Sequence, residues 1–225
     1  MIDSAVVDAV RISLLVAGVS TAIVAAPAIA LGRLLARREF PGRSIVETLA
    51  ALPLYCPPTA FGFLLLYALR RDGALGREAL GIDLGLLLTW RGAVLASAIM
   101  SFPLVMRTAR VAFEAVPERL ERMAASLGAS RWQVAWSVTL PLARRGLLAA
   151  LLVGFSRALG EFGATVIVAG NIPGRTQTLA TGIFDALQLG DDARALELAA
   201  WSVALGFGAV WTSEWLMRRS PRRRA

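Results

Sequence analysis

The chain of 225 residues has no lysine, no histidine and a single cysteine, Cys56. The absence of lysine excludes a phosphate-binding loop of the Walker type, because that loop needs a lysine to reach the terminal phosphates. The absence of histidine removes the commonest metal ligand and the usual proton shuttle. One cysteine supports neither a disulfide framework nor a thiolate metal cluster. The sequence therefore predicts no ATP-hydrolysing site, no catalytic residues and no metal site.

Charged residues are also scarce. They make up 18% of the chain, whereas 56% of the residues are hydrophobic and the mean hydropathy is +0.62. A soluble domain carries about 25% charged residues. A helix that crosses the roughly 30 Å hydrocarbon core of a bilayer needs about 20 apolar residues. We therefore expect an all-α integral membrane protein.

Five long apolar runs account for most of the chain, and we interpret each as a membrane span: residues 12–31, 48–69, 84–106, 146–170 and 198–217. The shorter stretch 178–189 is apolar along one helical face, so we expect an interfacial or re-entrant helix there, and six spans if it crosses fully. Asp3 and Asp8 precede the first run, which argues against a cleavable signal peptide. Without internal repeats, residues 1–225 form one predicted domain.

The distribution of arginine predicts the orientation. All 24 basic residues are arginine, and five spans would place sixteen of them on one side of the membrane: Arg33, Arg37, Arg38, Arg43, Arg107, Arg110, Arg119, Arg122, Arg131, Arg144, Arg145, Arg218, Arg219, Arg222, Arg223 and Arg224. The cytoplasmic side carries such an excess, so we expect the N-terminus outside and the C-terminus inside. The net charge of +8 is therefore attributed to arginines that set the orientation and contact anionic lipid, rather than to nucleic-acid binding.

Residues 117–141, here called the 117–141 loop, are too polar to cross a membrane between the third and fourth spans. A helix that begins at Pro117 would place four apolar residues on one face: Leu120, Met123, Ala124 and Leu127. A second helix is predicted over residues 130–138, and we expect Leu140-Pro141 to end it. Two interpretations stand: a docking element for another protein, or a helical hairpin lying flat on the lipid.

One stretch of the 117–141 loop resembles the cytoplasmic loop of type I ABC importer permeases. It reads Ala124-Ala125-Ser126-Leu127-Gly128, then nine residues, then Val138-Thr139-Leu140-Pro141. The family loop reads E-A-A, three residues, G, nine residues, I-x-L-P. Here Val138 replaces the isoleucine, the triplet in register with E-A-A is Arg122-Met123-Ala124, and the acid, Glu121, lies one position early. The resemblance covers essentially the whole chain. It implies that the loop docks on a separate ATPase subunit, which binds ATP and Mg. The coupling residues it implies are Glu121, Ala124, Ala125, Gly128, Leu140 and Pro141.

Further runs are similar to permeases for tetrahedral oxyanions, the molybdate and sulfate importers: RALGEFGA at 157–164, GNIPGRTQT at 170–178, and the proline-rich run 52–59. The short chain is closer to the molybdate type. The resemblance implies a membrane-spanning permease subunit of an ATP-driven molybdate importer. It would work as a homodimer with a pair of ATPase subunits and an external oxyanion-binding protein, in the bacterial cytoplasmic (inner) membrane.

Three alternatives remain open. A sulfate, thiosulfate or tungstate permease would share this architecture. A stand-alone secondary transporter or channel generally shows repeated halves, and none is visible here. A membrane-embedded enzyme would need a nucleophile, a base or a metal set, for which the sequence offers few residues.

Two features inside the spans are candidates for a pathway or gate. Arg157 and Glu161 are four residues apart and are expected to pair on one helix face. Each charge costs about 3 kcal/mol at mid-membrane, so the pair either lines a pathway or interface, or locks two helices together as a neutral unit. Pro57 and Pro58 remove backbone donors and should kink the second span, either as part of a gate or for packing shape.

Overall fold

The computed structural model describes residues 4–218, and within them the regular elements are helices. Their bounds are α1 (Ser4–Arg37), α2 (Arg43–Tyr55), α3 (Pro58–Leu69), α4 (Arg77–Leu80), α5 (Trp90–Glu114), α6 (Glu118–Ser126), α7 (Arg131–Val134), a π-helix (Ala135–Thr139), α8 (Leu140–Leu159), α9 (Gly163–Ala169), α10 (Leu179–Gln188) and α11 (Asp192–Arg218). The expected all-α class is confirmed.

The core is formed by α1, α5 and α8, which pack lengthwise through residues such as Leu35, Met106 and Leu147. Small residues permit the closest approach: a Cβ on Gly32 of α1 would lie 2.8 Å from the Met106 carbonyl oxygen of α5. We call the end of the bundle where α1 and α5 finish and α8 starts the loop end, because the 117–141 loop lies there. The opposite end, where α1 and α5 begin, is called the far end.

The apolar run 48–69 does not form one continuous helix. It is divided into α2 and α3, whose axes differ by 107°. Between them Cys56 is extended (φ −89°, ψ 150°), because a residue that precedes proline is driven out of the helical region. The predicted kink at Pro57 and Pro58 is confirmed, and it is large enough to divide the run into two helices.

Two other runs also depart from the expected spans. The third run becomes helical only at Trp90, so residues 84–89 are not part of α5. The fourth run is interrupted at residues 160–162, which separate α8 from the short α9. Within residues 4–218, four helices are long and apolar enough to cross a membrane, or five if α2 and α3 together make one broken span. Five crossings are therefore compatible with the structure, and the orientation stays a prediction.

The predicted helix over 178–189 is confirmed as α10. Thr178 caps it, since the Thr178 side chain accepts from the Thr181 N–H and the Thr181 hydroxyl accepts from the Thr178 N–H. The helix packs at the far end, where Leu179 is buried with Val6 of α1 and Leu198 of α11. Ten residues of helix reach about 15 Å, which is half of a hydrocarbon core.

The expected stop at Leu140-Pro141 is wrong, because the chain is helical from Arg131 to Leu159. The turn before Leu140 is a π-helix, in which the Leu140 N–H donates to the carbonyl oxygen of Ala135, five residues back. Pro141 follows this π-helix directly, so the residue that lacks an N–H lies where the regular i→i−4 bonding of the helical run is already interrupted.

Candidate functional site at the loop end and the broken helices

The 117–141 loop exposes large apolar side chains. The exposed fractions are 88% for Leu127, 74% for Trp132, 67% for Trp136 and 51% for Met123. Charged residues precede them in the sequence of α6. We call these four side chains the apolar docking surface, after the role predicted for the loop. Contiguous apolar patches rimmed by polar residues mark interaction sites.

A tight connection joins α6 to α7. Gly128 adopts φ +89°, the Ala129 N–H donates to the Ala124 carbonyl at 3.2 Å, and the Gly128 N–H donates to the Ala125 carbonyl at 3.0 Å. This pair of bonds is a Schellman motif, which requires a left-handed residue and so favours glycine. Two residues later, the Ser130 hydroxyl and the Gln133 side chain form a capping box that starts α7. Local hydrogen bonds therefore define both the end of α6 and the start of α7.

The six predicted coupling residues lie at the loop end in different environments. Ala125, Gly128 and Pro141 are exposed, whereas Ala124 and Leu140 are partly buried. Glu121 faces the interior of the chain: its Oε2 lies 3.0 Å from Nε of Arg37 at the end of α1. Its Oε1 accepts a hydrogen bond of 2.6 Å from the buried Thr139 hydroxyl.

Arg37 also donates to the Val116 carbonyl oxygen at 2.8 Å. We call Arg37, Val116, Glu121 and Thr139 the Glu121 cluster. Sequence reasoning missed Arg37 and Thr139, because Arg37 lies 84 residues from Glu121 and no local spacing relates the two.

A second polar link at the loop end joins α2 to α5. Arg110 of α5 contacts Glu47 of α2 at 2.6 Å and Glu114 of its own helix at 2.7 Å. One turn before Arg110, both terminal nitrogens of Arg107 donate to the Tyr55 hydroxyl at 3.1 Å. These polar contacts add to the packing of α2 on the core, in which Ala51 is buried and Ala50 is partly buried.

Arg157 and Glu161 do pair, with Nη1 and Oε2 2.6 Å apart, but not on one helix face. Arg157 lies in the last turn of α8, and Glu161 lies in the break that follows, because α8 ends at Leu159. The second oxygen of Glu161 accepts from the Ala164 N–H at 2.9 Å, so the carboxylate also stabilises the start of α9. The Glu161 side chain is 1% exposed and that of Arg157 is 27% exposed.

The two helix breaks lie side by side. A Cβ on Gly163, at the start of α9, would lie 3.0 Å from the Cβ of Pro58 at the start of α3. One turn further, a Cβ on Gly62 would lie 2.8 Å from the Ala164 Cα. The structure thus brings Pro58 close to the Arg157–Glu161 pair, although about 100 residues separate the two segments in sequence.

At the far end, a cavity of about 330 Å³ lies between residues 85–91 and the loop that follows α9. Arg91, Arg175, Thr89 and Thr176 supply its polar lining. In the part of the chain that the structure describes, neither arginine forms an ion pair with an acidic residue. Two arginines without an ion-pair partner within 4.0 Å therefore line the cavity, and arginine is a residue type suited to binding anions.

Comparison with known proteins is consistent with this architecture. The chain is 40% identical over 218 residues to the molybdenum transport system permease protein ModB of Haemophilus influenzae, which covers 95% of this chain and 94% of that relative. It is 33% identical to the sulfate transport system permease protein CysT of Escherichia coli, over 97% of this chain and 79% of the relative.

A solved structure shares the fold. A bacterial ABC transporter involved in the import of the acidic polysaccharide alginate matches with a TM-score of 0.77 and 18% identity, over 98% of this chain and 81% of that chain. The family model described as binding-protein-dependent transport system inner membrane component matches residues 28–220. The chain belongs to this family of multi-pass transport permeases.

Proposed function

We propose that the chain is the permease subunit of an ATP-driven importer that carries molybdate across the bacterial cytoplasmic membrane. The assignment of molybdate as the substrate rests on the 40% identity to a molybdenum permease over nearly the full length of both chains. The sulfate permease is less similar, at 33%, and the chain covers less of its length. Sulfate is therefore the less favoured oxyanion.

In this proposal the chain itself does not hydrolyse ATP. A pair of ATPase subunits binds ATP and Mg, and a second copy of the chain completes the pathway. The lack of lysine supports this division, because the chain cannot form a Walker-type loop. The apolar docking surface supports a partner at the loop end, since Leu127, Trp132 and Trp136 are exposed on an otherwise polar segment.

The loop end is cytoplasmic in this proposal, and the far end faces an external oxyanion-binding protein. The excess of arginine around the loop end supports that orientation. Five crossings result, with α2 and α3 as one broken span and α8 and α9 as another. An anion released at the far end would meet the cavity that contains Arg91 and Arg175.

The neutral pair Arg157–Glu161 has a different role from the far-end arginines. Because Glu161 already compensates the Arg157 charge, this guanidinium attracts an anion much less than an unpaired one would. We therefore assign the pair to holding the break between α8 and α9, beside Pro58. Closure of the ATPase subunits would move the loop end and tilt the helices of both copies, which opens the pathway alternately to each side.

Uptake of labelled molybdate by proteoliposomes tests the proposal. The vesicles contain this chain, its ATPase and its binding protein, with an ATP-free sample as the control. We expect uptake that needs ATP and persists in excess unlabelled sulfate. Uptake abolished by sulfate would make sulfate the substrate, and uptake by this chain alone would contradict the ABC assignment.

The far-end cavity is tested in the same vesicles. Arg91→Gln and Arg175→Gln should each raise the molybdate concentration at half-maximal uptake, because each removes one positive charge from the cavity. Arg194→Gln is the matched control, since Arg194 lies on α11 and does not line that cavity. Equal effects of all three variants would exclude a specific role for the cavity.

A further inference from the structure

We propose that Glu121 is a positioning residue that fixes the 117–141 loop to α1 and α8 of its own chain, rather than a contact to the ATPase. The inference rests on the proposed function, in which this loop receives the movement of the ATPase. It goes beyond that function because it identifies the residues through which the loop moves the bundle: Arg37, Glu121 and Thr139.

The geometry of the Glu121 cluster carries the inference. Both carboxylate oxygens are occupied inside the chain: Oε2 lies 3.0 Å from Nε of Arg37, and Oε1 accepts from Thr139 at 2.6 Å and from Nη2 of Arg37 at 3.4 Å. The side chains of Arg37 and Glu121 are 16% and 18% exposed, and Thr139 is fully buried. A carboxylate with both oxygens engaged and little exposure is poorly available to a partner protein.

A neighbouring acid on the same helix shows the contrast. Glu118 of α6 pairs with Arg122 at 3.1 Å, and both side chains are more than half exposed. That pair forms no hydrogen bond or ion pair with another helix among the described residues, whereas the Glu121 cluster joins the last turn of α1, the residue before Pro117, α6 and the π-helix. Glu118 and Arg122 are therefore a matched control for charge on the loop.

The Glu121 cluster determines which helices move when the 117–141 loop moves. Thr139 is the last residue of the π-helix that leads into α8, so its bond to Glu121 links α6 to α8 across the loop. Arg37 links α6 to α1, which packs along α5 through most of its length. Because the Arg37–Glu121 ion pair and the charge-assisted bond from Thr139 to Glu121 are both little exposed, they should be stronger than surface pairs, and displacement of α6 should move α1 and α8 together.

Two measurements on the reconstituted complex test this role: the affinity for the ATPase, and the number of oxyanions moved per ATP hydrolysed. For Glu121→Gln and Arg37→Gln we expect nearly unchanged ATPase affinity and continued ATP hydrolysis, with a several-fold lower transport ratio. Arg37→Lys, which keeps the positive charge, should recover part of the ratio. Glu118→Gln should leave both quantities unchanged.

A further variant covers the case in which the charge substitutions reduce folding. Thr139→Val removes one hydrogen bond from Glu121 without leaving an unpaired charge, and it should lower the transport ratio in the same direction. If Glu121→Gln or Thr139→Val lowers the ATPase affinity instead, or leaves the ratio unchanged, the proposed positioning role is wrong. The ratio is measured with whichever oxyanion the unmodified complex transports, so a wrong substrate assignment would be detected separately.

Discussion

Replacement of Leu127 by serine gives a quantitative test of the apolar docking surface. The side chain of Leu127 is 88% exposed, so nearly all of its apolar area is available to a partner. Complete burial of a leucine contributes about 1.5–3 kcal/mol. Since 1.4 kcal/mol corresponds to about a tenfold change in affinity, Leu127→Ser should weaken binding of the ATPase roughly ten- to hundredfold.

The assay is a titration of the permease, held in lipid nanodiscs, with fluorescently labelled ATPase subunit. Leu189→Ser is the matched control, because Leu189 is 77% exposed but follows α10 at the far end. The melting temperature of the isolated permease should be the same in both variants, since neither side chain is buried. Unchanged affinity in Leu127→Ser would refute the docking assignment and favour a hairpin that lies flat on the lipid.

Three further substitutions test other parts of the structure. Gly128→Asp should strongly reduce uptake while the membrane level on an immunoblot stays normal, because it adds strain at φ +89° and a negative charge beside exposed Leu127, whereas Gly128→Asn adds no charge and should retain more uptake. Arg157→Gln should destabilise the protein by about 3–5 kcal/mol, since it leaves buried Glu161 unpaired, and adding Glu161→Gln should reduce that loss in a thermal melt. Gly32→Val should lower the melting temperature through overpacking against α5, whereas Gly18→Val in the same helix should not; equal melting temperatures would contradict the close contact.

Most of the 117–141 loop could be predicted because its signals are local, although the predicted stop at Leu140-Pro141 is wrong. Pro117 precedes a helix, Gly128 ends it in a left-handed turn, and Ser130 caps the next one, so each boundary depends on residues within one turn of it. Hydropathy likewise identified the long apolar segments. A membrane span needs about 20 residues with few charges, and such a segment is visible in the sequence itself. These predictions needed no knowledge of contacts between distant segments.

The break after Leu159 could not be predicted in the same way. Residues 146–170 are uncharged apart from Arg157 and Glu161, and hydropathy does not distinguish a continuous helix from an interrupted one. Tertiary packing accompanies the interruption, since α9 packs on α3 with Gly163 against Pro58, and hydropathy does not record such contacts. The spacing of Arg157 and Glu161 correctly predicted their ion pair but not its place across a helix end.

The polar contacts of the described bundle are unevenly distributed, and this bears on how movement would spread through it. At the loop end, α1 is linked to the 117–141 loop by Arg37, and α2 is linked to α5 by Arg110. Farther along, α3 no longer follows α2, because the chain turns by 107° at Cys56 and α3 packs on α9 instead. A tilt of α5 is therefore transmitted to α2 by an ion pair and to α3 mainly through α9. Under the proposed function, α2 and α5 move as one group of helices, and α3 and α9 move as another. The two adjacent helix breaks then accommodate the relative movement of these groups, because the backbone there is not constrained by regular helical hydrogen bonds.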